Sequence, residues 1–194
     1  MKSVYTKAAM LIALAGFSLW MFSQSTLNLD SGTPSYEKID SIRFVNDTDQ
    51  LQIRNAKAWL FNIIPSLMGK QEYESELACA YHRLGGLYSY ENTLDSSIIH
   101  TQKAADLRLE IIRKGRPAKV DSTRLAASYY NLGYYYRIIN DTKAAIDNLH
   151  LAIELYRKLE PAWVSDGLRD MGNVWMQRGD FHYANSYFTD AIRT

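Results

Sequence analysis

The chain has 194 residues, 47% hydrophobic and 22% charged, with Lys+Arg 22 against Asp+Glu 21. Such a composition excludes a disordered or collagen-like chain, and near-zero net charge with both signs interspersed gives no electrostatic footprint for nucleic acid. One cysteine, Cys79, excludes an intramolecular disulfide, and no Cys/His cluster has the spacing of a metal site.

Residues 1–25 read as a targeting segment. Lys2 and Lys7 precede a charge-free apolar run from Ala8 to Phe22. The run is shorter than the ~20 residues of a comfortable bilayer span and suits the core of a signal peptide. Ser23 and Ser25 offer small residues for cleavage, whereas bulky Trp20, Met21 and Phe22 suit an uncleaved membrane anchor. The expected location is therefore secreted or periplasmic, with membrane anchoring through this segment as the alternative. Residues 26–48, rich in Ser, Thr, Asn and Asp with Gly32 and Pro34, read as a flexible neck. Ile39, Ile42, Phe44 and Val45 give that neck a second reading, one turn of structure packed on the domain that follows.

Residues 49–194 read as a helical repeat domain. Leu51 to Ile64 forms one amphipathic helix ended near Pro65, taken as an N-terminal cap or half repeat. Beyond it, Gly85, Gly133 and Gly172 anchor a self-similar pattern. Tyr81, Tyr129 and Leu168 stand four residues before the glycines, Leu84, Leu132 and Met171 immediately before, and Tyr88, Tyr136 and Trp175 three after. Small residues follow at twelve (Ser97, Ala145, Ala184) and nineteen (Ala104, Ala152, Ala191), beyond a polar turn at Asn92-Thr93, Asn140-Asp141 and Gly179-Asp180. The large apolar residues around each glycine share one helical face. A helix-interior glycine costs ~1 kcal/mol relative to alanine, so its recurrence implies close helix approach, with the small residues of a second helix meeting it. Each unit is then an antiparallel helix pair that stacks on its neighbour.

On these residues the chain resembles the tetratricopeptide repeat family, most closely from Tyr129 through Ala152 and from Leu168 through Ala191. The copy around Gly85 departs from the pattern, with Ser97 where alanine is usual and Thr101 where a bulky residue is expected. Glycine spacings of 48 and 39 exceed the family's period, the extra residues falling in Arg113–Lys119 and around Glu160-Pro161. The lengthened spacing looks like the extended-repeat type of bacterial exported members. The resemblance implies an all-α fold, a right-handed superhelical solenoid of antiparallel helix pairs, with about three repeats plus an N-terminal cap helix.

The resemblance also implies a concave face lined by the first helix of each pair. Carried over residue by residue, its positions are Cys79, His82, Gly86 and Ser89, then Ala127, Tyr130, Tyr134 and Arg137, then Asp166, Arg169, Asn173 and Met176. Of these, His82, Tyr130, Tyr134, Arg137, Arg169 and Asn173 are the expected peptide-binding residues, tyrosine supplying apolar area with few rotors and arginine supplying charge-assisted bonds. Arg169 and Asn173 echo half of the family's clamp for a terminal carboxylate. No catalytic, metal or cofactor site is expected. The glycine loop, nucleophile elbow and zinc-protease motifs are absent, and Cys79 and His82, three apart on one helix, read as bystanders rather than a thiol–imidazole pair. Carboxylates such as Asp95 and Asp121 stand at helix starts, where capping and the helix dipole account for them. The expected function is a non-catalytic, exported scaffold whose partner is a protein or peptide, with acidic residues suiting the arginines. Family resemblance leaves one alternative, the sensor or scaffold portion of a larger enzyme such as a caspase-like protease or histidine kinase fusion.

Overall fold

The computed structural model describes residues 34–115 and 119–194. The expected targeting segment, the neck before Pro34 and Arg116, Pro117 and Ala118 of the basic connector lie outside the described residues. Regular structure among the described residues is helical throughout: α1 (Tyr36–Asp40), α2 (Gln50–Leu67), α3 (Glu74–Tyr90), α4 (Leu94–Arg113), α5 (Lys119–Ile138), α6 (Thr142–Leu159), α7 (Val164–Gln177) and α8 (Phe181–Arg193). Short 3-10 turns occupy Ser41–Phe44, Gln71–Tyr73 and Pro161–Trp163. Helices α3 and α4, α5 and α6, and α7 and α8 form the three pairs; α4 packs on α5, α6 on α7, and α2 on α3. The fold is an all-α solenoid of tetratricopeptide type. Among the described residues, no helix is long and apolar enough to cross a membrane.

The glycines set the pairing. A Cβ built on Gly133 would lie 2.6 Å from Leu149 Cγ, and one on Gly172 would lie 2.5 Å from Phe188 Cε1. At Gly85 the obstacle is Thr101 Oγ1, with the Ser97 carbonyl at 3.1 Å. Thr101, Leu149 and Phe188 share one register, sixteen positions after their glycines. The contact differs from the expected one. Residues at twelve, sixteen and nineteen lie on one stripe of the second helix, and the middle residue reaches the glycine while the small ones on either side let the backbones approach. Ser97, Ala104, Ala145 and Ala152 are accordingly fully buried, and Ala184 nearly so. Ala191, on the outermost helix, is only half-buried.

The turn within each pair repeats as closely. Asn92 (φ 57°), Asn140 (φ 63°) and Gly179 (φ 85°) occupy the left-handed region. The next amide of each, from Thr93, Asp141 and Asp180, returns to the carbonyl of Tyr88, Tyr136 and Trp175. This closes three successive Schellman motifs on residue types that tolerate positive φ. Asp141 then caps α6 by accepting from the Ala144 amide at 3.0 Å.

Two boundaries depart from expectation. Helix α2 runs through Pro65 to Leu67. A proline in the last turn forfeits one backbone bond, and burial of Leu67 offsets that loss. Within the stretch read as a neck, Tyr36–Phe44 is helical and packs on α3. The packed alternative is the one adopted, because Ile39 and Ile42 become almost fully buried and Val45 nearly so.

Candidate functional site

Two adjoining cavities of about 340 and 390 Å³ open along the first helices of the pairs. They share His82, Tyr130 and Asn131. The first is lined by Ile42 and Arg43 from ahead of the repeats, by Gly86, Ser89 and Tyr90 around α3, and by Tyr134 and Tyr135 of α5. The second lies between α5 and α7 and takes Arg124, Tyr156, Trp163, Asp166 and Arg169. Of the expected concave positions, His82, Gly86, Ser89, Ala127, Tyr130, Tyr134, Asp166 and Arg169 therefore line the groove. At Gly86 an added Cβ would meet nothing within 4 Å.

At the N-terminal end the groove is polar beneath and already occupied. Asp40, at the end of α1, accepts from Arg83 Nη2 of α3 and from Arg124 Nη2 of α5 at 3.1 Å. Arg43 Nη1 adds a contact at 3.2 Å. Burial alone would raise the Asp40 carboxyl, but Arg83, Arg124 and Arg43 together hold it below the ordinary carboxylate range. Cys79 Sγ points at the same carboxylate from 3.8 Å, and burial pushes its thiol up. Cys79 thus faces Asp40 of α1, while His82 Nδ1 faces Ser128.

His82 lies deeper. Ser128 Oγ donates to the Arg124 carbonyl at 3.1 Å and accepts from Arg108 Nη1 at 2.6 Å. Its remaining lone pair takes the proton of His82 Nδ1, 3.1 Å away, so a neutral His82 is the Nδ1–H tautomer. Burial, reinforced by Arg108, Arg83 and Arg124, drives the His82 pKa well below that of a free imidazole. Arg108 is fully buried, and its Nε and Nη2 have no hydrogen-bond partner among the described residues. Asp121, nearly buried in the first turn of α5, accepts from Ser75 Oγ of α3 at 2.9 Å, so it ties two repeats together beyond any dipole effect.

At the far end, Asp170 gathers three of the expected binding residues. It accepts from the Tyr130 hydroxyl at 2.6 Å and from Asn173 Nδ2 at 3.2 Å, with Arg137 Nε at 4.0 Å. Burial first, then the bond to Asp170, raises the Tyr130 phenol far above its usual value. The Tyr130 hydroxyl is therefore committed to joining α5 to α7, whereas the Asn173 bond lies within α7 and Arg137 Nε makes no hydrogen bond among the described residues. Tyr134 remains exposed, its ring facing Tyr135 at 5.9 Å and carrying the Arg137 guanidinium at 5.2 Å. Arg169 is exposed and pairs with Asp166 at 2.6 Å. Met176 is exposed beyond the lining.

Sequence reasoning missed Arg83, Arg124, Trp163 and Asp170. One signal was present. The position two before each anchor glycine is polar in every copy, as Arg83, Asn131 and Asp170, although the residue after it is a core residue, Leu84, Leu132 or Met171. Among the described residues, no group of three His, Cys, Asp or Glu side chains could hold a metal ion.

No protein-family model matches the chain, and no curated protein matches it in sequence. Among solved structures it is similar to the crystal structure of MamA, at 20% identity and a TM-score of 0.50, over 80% of this chain and 85% of that one. It also aligns with BtubC from P. vanneervenii at 18% identity and a TM-score of 0.38, over 81% of each chain. The likeness to MamA is one of fold, the helical-repeat solenoid described above.

Proposed function

We propose that this chain is a non-catalytic scaffold that binds a segment of a partner protein along the groove formed by α3, α5 and α7. The observation that carries the reading is the composition of the two adjoining cavities. Tyr90, Tyr134 and Trp163 supply exposed, stiff aromatic area, while Arg169 and the Asp40-paired Arg43, Arg83 and Arg124 place guanidinium groups around it. That combination grips a peptide with apolar and acidic residues. The charge-free run Ala8–Phe22 supports export, with the solenoid presented outside the cytoplasm or held at a membrane by that segment.

The test is an array of short acidic, tyrosine-bearing peptides probed with the full chain. Gly86→Trp fills the first cavity from a position with open space, and Tyr134→Ala removes an exposed ring. Either change should weaken the captured peptides by about tenfold or more. Lys143→Ala serves as the control, because this exposed lysine of α6 lines neither cavity. Equal binding by wild type, Gly86→Trp and Tyr134→Ala would overturn the groove as the binding face.

A further inference from the structure

The residues ahead of the repeats do more than lead into them. Tyr36 and Asp40 are four apart, hence on one face of α1. Asp40 is clamped between Arg83 and Arg124, which belong to different repeats. Tyr36 is largely buried beside Cys79, Arg108 and Arg124, and burial, helped by Cys79, raises its phenol to about 12. Ile39 and Ile42 pack down beside them, and Ile42 and Arg43 then line the first cavity. The segment crosses the solenoid rather than extending it. The ion pairs from Asp40 join α1 to α3 and α5 at once.

Removing α1 would take Asp40 away from Arg83 and Arg124 and would leave the fully buried Arg108 with Asp121, which already accepts from Ser75. A groove floor with that imbalance requires an acid from whatever replaces α1. We infer that Ser35–Val45 is an exchangeable self-ligand, and that the partner displacing it presents a helical turn with a tyrosine and a carboxylate four residues apart, flanked by aliphatic side chains. This rests on the reading of the groove as a peptide-binding face. It adds the chemistry of the motif and a competition that the partner has to win.

Cys79 provides the readout, because it is buried, faces Asp40 of α1 and is the only cysteine of the chain. In the full chain, Asp40→Asn should accelerate alkylation of Cys79 by iodoacetamide by about tenfold or more, with helicity retained. A synthetic peptide of residues 34–46 added in trans should slow that alkylation again. It should bind Asp40→Asn at least about tenfold more tightly than wild type, and the same peptide with Asp40→Asn should not. An unchanged alkylation rate, or acceleration that the peptide cannot reverse, overturns the proposal. Dimerisation of Asp40→Asn accompanied by renewed protection of Cys79 would assign the groove to a second copy's segment and overturn a foreign partner. Hydrogen exchange on wild type needs no variant: α1 amides should open well before those of α3 and α5, and simultaneous opening refutes exchangeability. Strap exchange with no capture on the peptide array would instead count against the wider groove reading alone.

Discussion

Gly86 and Gly133 sit in equivalent helices and face opposite demands. Gly86 has open space where a Cβ would go, whereas Gly133 has Leu149 there, with its amide nitrogen 3.1 Å away. Gly86→Ala should therefore stabilise the chain by about 0.5–1 kcal/mol through helix propensity. Gly133→Leu should cost about 1–3 kcal/mol through overpacking. Urea midpoints of the two variants check both signs at once. His82 carries the second residue-scale prediction. Its pKa is depressed in the folded chain, so between that value and ~6.5 the unfolded chain binds the extra proton. Stability is fully present above ~6.5 and declines as pH falls toward the depressed value. His100, depressed by burial and by Lys103, acts in the same direction. His82→Gln should shrink the loss in urea midpoint between pH 7 and pH 5, and an undiminished loss would place the dependence elsewhere.

At the scale of elements, the left-handed residue of each turn is the most replaceable test of the repeat. Asn140→Gly should be neutral or mildly stabilising, while Asn140→Val should cost about 1–2 kcal/mol, because a β-branched residue pays for positive φ. Thermal melts of both variants distinguish this turn from a generic loop. The helix pairs were legible because their signals are local. A glycine where alanine would be better, small residues seven apart and a polar turn at constant offset each have one physical reading. The partner of each glycine was not legible, since spacing alone does not say which residue of a stripe points inward. Asp170 and Arg83 escaped for a related reason. A polar residue in an amphipathic helix reads as solvent-facing, and only the neighbouring repeat reveals Tyr130 or Asp40 across from it. Helix α1 has five residues, too few for a period to declare itself, and its identity comes from burial of Ile39 and Ile42.

For the whole molecule, the bond from Arg124 to Asp40 spans 84 residues in sequence, farther than the other described side-chain bonds. A solenoid with only neighbour contacts frays from whichever end is weaker. Here the α1 clamp binds the first repeat to the second, while α8 buries only Ala184 and leaves Phe181, Tyr183 and Ile192 exposed. Hydrogen exchange in the intact chain should accordingly reach α8 before α3 and α5, and protection of α8 equal to that of α5 would contradict it. Helix α1, which carries the clamp, also makes its contacts ahead of the repeats, through Tyr36, Lys38, Ile39 and Asp40. Tension applied through the residues ahead of Pro34 reaches α1 before it reaches any repeat, so the load falls on the Asp40 ion pairs and the few side chains buried with them. Pulled from that end, the molecule would yield at α1 and bare its groove while the solenoid behind it stayed intact, which makes the segment a mechanical fuse.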